Sequence, residues 1–104
     1  SGDTGIHADM KTIVGEFHKP NLALFNLGPN AVTRQSATYA ITDLVRPVAV
    51  IATHVNEAAT TGGKVRPASR TAAFVESVKP RPAYLALSGR TMEFDGDAKC
   101  VSGC

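Results

Sequence analysis

Two kinds of segment are scarce in this 104-residue sequence: long apolar runs and clusters of positive charge. Its apolar stretches are short and interrupted by Thr, Asn, Pro or charged residues, so none approaches the roughly 20 apolar residues of a transmembrane helix. No membrane partner is expected. The eleven Lys and Arg residues give a net charge of only +2 and lie scattered, with few aromatics among them. A nucleic-acid surface is therefore not expected either. A lysine-flanked apolar segment is also missing from the N-terminus, so no signal peptide is expected in the chain, although a mature chain would have lost one. What remains is 43% hydrophobic and 19% charged, the composition of one ordinary globular domain over residues 1–104.

Cysteine is nearly absent. Cys100 and Cys104 stand together in "KCVSGC". A disulfide within this tail, or to another chain, would suit an exported protein, whereas a cytosolic one would hold two free thiols. A metal site is the weaker reading, because a lone C-x3-C has no histidine near it.

Periodicity organises the rest. Met10, Ile13, Val14 and Phe17 fall at i, i+3, i+4 and i+7, which predicts one apolar face on a helix from about Ile6 to His18, stopped by Lys19-Pro20. "NLALFNLG" reads as a buried strand ended by Gly28-Pro29. Thr33 is placed to cap a second helix carrying Ala37, Ala40, Ile41, Leu44 and Val45 inward, which Arg46-Pro47 ends. "VAVIAT" is a β-branched strand. The polar stretch "HVNEAATTGGKVRP" separates it from the next helix, and its "TTGG" reads as a mobile loop; the glycines lack the P-loop spacing, since Lys64 is followed by Val65. A third helix is predicted over Ser69 to Val78 with Phe74, Val75 and Val78 inward. "PAYLALSG" follows as a buried strand, and "RTMEFDG" as a final edge strand turning at Asp95-Gly96. Apolar strands alternating with helices predict an α/β fold with a parallel sheet. One layer of helices leaves the second sheet face apolar and uncovered, so a second sheet from another polypeptide, or self-association as a homo-oligomer, is expected to cover it.

In such folds ligands bind beyond the carboxyl ends of strands. Asp3, in a Gly-Asp-Thr-Gly turn with no strand before it, would follow a truncated first strand. Asn30 follows the next, His54 with Asn56 and Glu57 the third, and Ser88-Gly89-Arg90 the fourth. Parallel strands would bring Asp3 and His54 to one rim, where carboxylate oxygen and imidazole nitrogen are ordinary zinc ligands. The competing readings are a carboxylate stabilising a helix N-terminus for Asp3 and a simple loop histidine for His54.

"SGDTGIHADMKTIVGEFHKPNLALFNLGPN", followed some twenty residues on by "VAVIATHVNE", resembles the C-terminal half of the metallo-β-lactamase superfamily, in its branch of metal-dependent hydrolases of the ascorbate-phosphate-lactonase type. The resemblance implies a four-layer α/β/β/α sandwich of which this chain is one half, a sheet with helices on its outer face. It implies two divalent metal ions, zinc before manganese or iron, with Asp3 of "GDTG" bridging them and His54 of "ATHVN" holding the second. It also implies a partner, an N-terminal half bearing the His-x-His-x-Asp-His motif that these residues lack. The family pattern has an aromatic after the last histidine; here Val55 stands there.

The implied reaction is hydrolysis of a lactone or carboxylic ester, or of a phosphodiester, in a small-molecule substrate, with Asp3 carrying a proton to the leaving group. A non-catalytic binding or assembly module of the same fold is the alternative. His7, Asn30, Asn56 and Arg90 are candidate substrate contacts, each with a plain surface or turn role as its counterpart. The bacterial character of the branch, with "CVSGC", leads to the expectation of a periplasmic or secreted location over a cytoplasmic one.

Overall fold

The computed structural model describes residues 1–55 and 59–104. Helix α1 spans Met10–His18, strand β1 Leu22–Asn26. Helix α2 runs from Arg34–Tyr39 without a break into Ala40–Val45, and β2 (Ala49–Thr53) follows. Two short strands, β3 (Thr60–Thr61) and β4 (Lys64–Val65), precede helix α3 (Arg70–Ser77). The chain closes with β5 (Ala83–Leu85), β6 (Glu93–Phe94) and β7 (Cys100–Ser102).

The sheet is parallel and ordered β1-β2-β5. Side chains of successive residues alternate between faces, and the register aligns Ala23, Val50 and Ala83 in one row and Phe25, Ala52 and Leu85 in the next. These rows pack against Met10, Ile41, Leu44, Val45, Phe74 and Val78 from the three helices. Removing these apolar groups from water is the main favourable term holding the layers together. On the opposite face the register aligns Leu24, Ile51 and Tyr84.

Local chemistry explains the helix limits. Thr33 and Ser36 form a reciprocal capping box at the start of α2, with Thr33 Oγ1 accepting from the Ser36 N–H at 3.1 Å. Ser69 Oγ accepts from the Ala72 N–H at 3.0 Å at the start of α3. Helices α1 and α2 end alike: Lys19 (φ 48°) and Arg46 (φ 54°) turn left-handed, and each is followed by a proline that cannot continue a helix. Their N–H groups reach back five residues, to Val14 O and Ile41 O, both at 3.1 Å.

That wide, π-type turn changes which residues of α1 face inward. An i→i+5 bond holds more residues per turn than the α-helix's 3.6, so the buried stripe runs through Met10, Val14 and Gly15. Ile13 and Phe17, expected in the core, are instead 48% and 77% exposed. The helix also begins at Met10 rather than near Ile6.

Two further expectations are corrected. The "TTGGKV" stretch is a β-hairpin, β3 paired antiparallel with β4, because Gly62 (φ 58°) and Gly63 (φ 74°) supply the two left-handed residues of a tight turn whose twist matches the strands. "RTMEFDG" does not join the main sheet: β6 pairs antiparallel with β7. Asp95 Oδ1 accepts from the N–H groups of Asp97 and Lys99, both at 2.9 Å, closing that turn. The Cys100–Cys104 disulfide forms within the tail.

This C-terminal hairpin partly roofs the face expected to be bare. Phe94 meets Tyr84 edge-on with ring centroids 5.3 Å apart, and Ile51 beside Tyr84 is 7% exposed. Leu24, at the far end of the same row, remains 54% exposed.

Helices α1 and α2 touch through backbone at Gly15. A β-carbon there would strike the Leu44 carbonyl oxygen and lie 3.2 Å from those of Met10 and Val45. Gly15→Ala is expected to cost about 1–3 kcal/mol of stability, seen in urea denaturation as a lower midpoint at an unchanged slope.

Candidate functional site

The parallel register ends β1 at Asn26 and β2 at Thr53, directly opposite each other. Leu27 N–H donates to Thr53 O at 3.0 Å, carrying the ladder one residue further. Next comes His54, in the left-handed region at φ 56°. Residues other than glycine seldom occupy that region, histidine more readily than most, and the surrounding structure holds them there.

Asp3 reaches the same rim along the free edge of β1. The Ser1 nitrogen donates to Leu24 O at 2.6 Å, and the Asn26 N–H donates to Ser1 Oγ at 2.9 Å. These bonds seat the N-terminal segment beside the end of the strand. Asp3 Oδ1 then lies 3.1 Å from His54 Nδ1, joining residues 51 positions apart.

An ionised carboxylate can only accept, so the Nδ1 of His54 carries the hydrogen in this contact. In the neutral imidazole that leaves the lone pair on Nε2. When His54 is protonated the same contact is an ion pair. Both side chains open to solvent, Asp3 at 65% and His54 at 53%.

Behind them lies a residue that the sequence reading missed. Asn26 is 7% exposed. Its Nδ2 donates to Asp3 Oδ1, and its Oδ1 accepts from the Gly28 N–H at 2.6 Å. The second bond is an Asx turn, in which an asparagine side chain holds the N–H two residues on. Its sequence signal is the asparagine of "FNLG", closing an apolar strand two places before a glycine. Gly28 itself is constrained by the site: a β-carbon there would stand 2.6 Å from His54 Nδ1 and 2.9 Å from Asn26 Oδ1.

His54 also lines a cleft of about 200 Å³ with Leu27, Pro29, Val55, Ala59 and the start of α3 at Ser69–Thr71. The cleft is mostly apolar, with the Arg70 side chain at one end donating to Val32 O. It is room for a small ligand beside the Asp3–His54 pair.

The other candidate residues lie elsewhere. His7 is exposed and lines a groove of about 340 Å³ along β1 with Met10, Leu22 and Leu24. Asn30 is exposed in the turn where Ala31 N–H bonds Gly28 O at 3.0 Å. Arg90 is exposed beside the C-terminal hairpin, in a separate cleft with Tyr84, Leu87 and Met92. Asn56 falls outside the described residues.

The donor set suits a divalent cation in part. Asp3 and His54 are a carboxylate and an imidazole at one point, both with ring or carboxyl atoms open to solvent. Among the described residues no third His, Cys, Asp or Glu joins them.

No family model and no solved structure matches the chain. Similar curated proteins carry the name UPF0173 metal-dependent hydrolase. One, from Polynucleobacter asymbioticus, is 40% identical over 63 residues, covering 60% of this chain and 22% of that protein. Another, from Cupriavidus taiwanensis, is 41% identical over 54 residues, covering 51% of the chain and 18% of the relative. A third, from Methanobrevibacter smithii, is 57% identical over 28 residues, 27% of the chain and 12% of the relative. The chain thus spans less than a quarter of the length of each of these proteins.

Gly28→Ala tests the geometry of the rim. The added methyl must push the imidazole away from Asp3, so the His54 ring resonances are expected to shift while those of the α2–α3 core stay in place. A two-dimensional NMR comparison of the two proteins reads both.

Proposed function

We propose that this chain forms part of a metal-dependent hydrolase, in which His54, backed by Asp3, holds a divalent cation at the carboxyl ends of β1 and β2. The observation that carries the reading is the 3.1 Å junction of Asp3 Oδ1 and His54 Nδ1 at one strand rim. The name shared by the similar proteins, metal-dependent hydrolase, supports it.

A divalent ion bound there would supply Lewis acidity to the scissile group and to the attacking water. The chain's own residues do the rest. Asp3 takes the His54 Nδ1 hydrogen and so presents Nε2 as the ligand atom, the usual arrangement of a carboxylate behind a ligating histidine. Exposed beside the cleft, Asp3 is also the group at hand to take a proton from the attacking water and pass it to the leaving atom. The apolar walls from Leu27, Pro29 and Val55 would bind the body of a small substrate and thin the water around it. That lining favours a lactone or carboxylic ester over a phosphodiester.

One ligand atom does not close a metal site. In our reading the remaining ligands of a two-ion centre, zinc by the character of its donors, come from an N-terminal half carrying His-x-His-x-Asp-His. The two halves would form an α/β/β/α sandwich. The exposed Leu24 on the second sheet face and the apolar groove along β1 are surfaces that such a partner would cover. The disulfide supports an oxidising compartment, periplasmic or extracellular.

Metal content and hydrolysis of the intact protein test this together. Asp3→Ala and His54→Ala are each expected to lower bound zinc and to reduce turnover of a lactone or ester at least as much as the roughly 10–100-fold typical for loss of an outer-shell partner. Unchanged zinc and turnover in both variants would remove the metal assignment. Zinc binding without turnover on lactone, ester and phosphodiester panels would leave the non-catalytic module. The compartment has its own test: thiol titration of the native protein should find no free cysteine before reduction and two after it.

A further inference from the structure

We propose that Asn26 is the positioning residue of this site, the group that holds Asp3 against His54 Nδ1 and so fixes the ring form that offers Nε2 to a divalent cation. The inference rests on the metal-binding reading above and adds a residue to it.

Three observations converge on the Asn26 side chain. It is 7% exposed at the last position of β1, so its amide is held by protein rather than by water. Its Oδ1 accepts from the buried Gly28 N–H at 2.6 Å. Its Nδ2 donates to Asp3 Oδ1. The two bonds define the amide's orientation uniquely. A flipped amide would set Nδ2 against the Gly28 N–H, donor against donor, and Oδ1 against a carboxylate, acceptor against acceptor.

The consequence falls on Asp3. Both of its partners, Asn26 Nδ2 and His54 Nδ1, use the same oxygen, Oδ1. Among the described residues Oδ2 takes no hydrogen bond. A carboxylate on an exposed segment would otherwise rotate freely, at a cost in order when a cation binds. Here the buried amide and the His54 ring both hold Oδ1, so Asp3 stays against Nδ1 and Nε2 is left as the ring nitrogen open to a ligand. The absence of a β-carbon at Gly28 makes the arrangement possible, because that is the space in which the amide and the imidazole ring meet.

The Asn26 amide therefore has two separable duties. Its oxygen holds the Gly28 turn, and its nitrogen holds Asp3. Asn26→Asp separates them, since a carboxylate still accepts from Gly28 N–H but meets Asp3 as a like charge. Asn26→Leu removes both bonds and adds no metal ligand.

Zinc affinity of the intact protein, measured by competition with a chromophoric chelator, is expected to fall about 10–100-fold in both variants. In the metal-free protein, two-bond nitrogen–proton spectra of the His54 ring should report the Nδ1–H form in the wild type and lose that preference in Asn26→Asp. Affinity at or above the wild-type value in Asn26→Asp, with an unaltered His54 ring spectrum, overturns the proposal. If Asn26→Leu does not fold, Asn26→Asp carries the test, because it keeps the Gly28 bond. Wild-type zinc affinity that is insensitive to His54→Ala would sink the metal reading instead, and the metal-free ring spectrum would still decide the role of Asn26.

Discussion

Because β1 and β2 run parallel and in register from Leu22↔Ala49 to Asn26↔Thr53, both strands stop at one rim. The polar residues around those ends meet there, although they stand far apart in the chain. An antiparallel pair would have sent Asn26 and Thr53 to opposite edges of the sheet. Parallel pairing needs a crossover, which α2 supplies, packed by Ala37, Ala40 and Ile41, all fully buried. The site thus depends on a helix that contributes nothing to it chemically.

Left-handed residues show how the chain concentrates strain. Lys19 and Arg46 close helices, and Ala98 sits in the turn of the C-terminal hairpin. Each turns the chain where regular structure stops. His54 differs because it also bears a functional group, and its turn out of β2 is what sets the imidazole beside Asp3 rather than along the strand axis. Conformations of this kind persist where neighbours over-determine them. Here the neighbours are the Leu27–Thr53 backbone bond, the bare α-carbon of Gly28 and the Asp3 carboxylate.

The two faces of the sheet are covered unequally. Helices seal the centre of one face, with Val50 and Ala52 at 0% exposure. The C-terminal hairpin covers the other only near Tyr84 and Ile51, and the disulfide gathers its tail. The edge at β1 keeps Leu24 exposed beside an apolar groove. Among the described residues Ser1 alone bonds the outer edge of β1, at Leu24 and Asn26, and an apolar strand edge of this kind has much to gain from a neighbour.

Much of this was legible in the residues alone. Alternating apolar runs and helical periodicity dictated the β-α-β order, and Thr33, Ser69, Arg46-Pro47 and Lys19-Pro20 marked helix limits, because caps and prolines act through bonds within a few residues. Asp3 and His54 were also readable as one rim, since parallel topology follows from the crossover rule. The inward stripe of α1 was not, for a π-type turn shifts the period and no local signal announces it. Nor was the pairing of β6 with β7 in place of the main sheet, because two short strands find partners by packing. Asn26 lay outside reach for the same reason: its role exists only when Asp3 and Gly28 close around a buried amide. Local chemistry, in short-range bonds and side-chain spacing, was in the sequence; which distant side chains share one hydrogen-bonded point was decided by tertiary packing, since that alone sets distances between residues 51 positions apart.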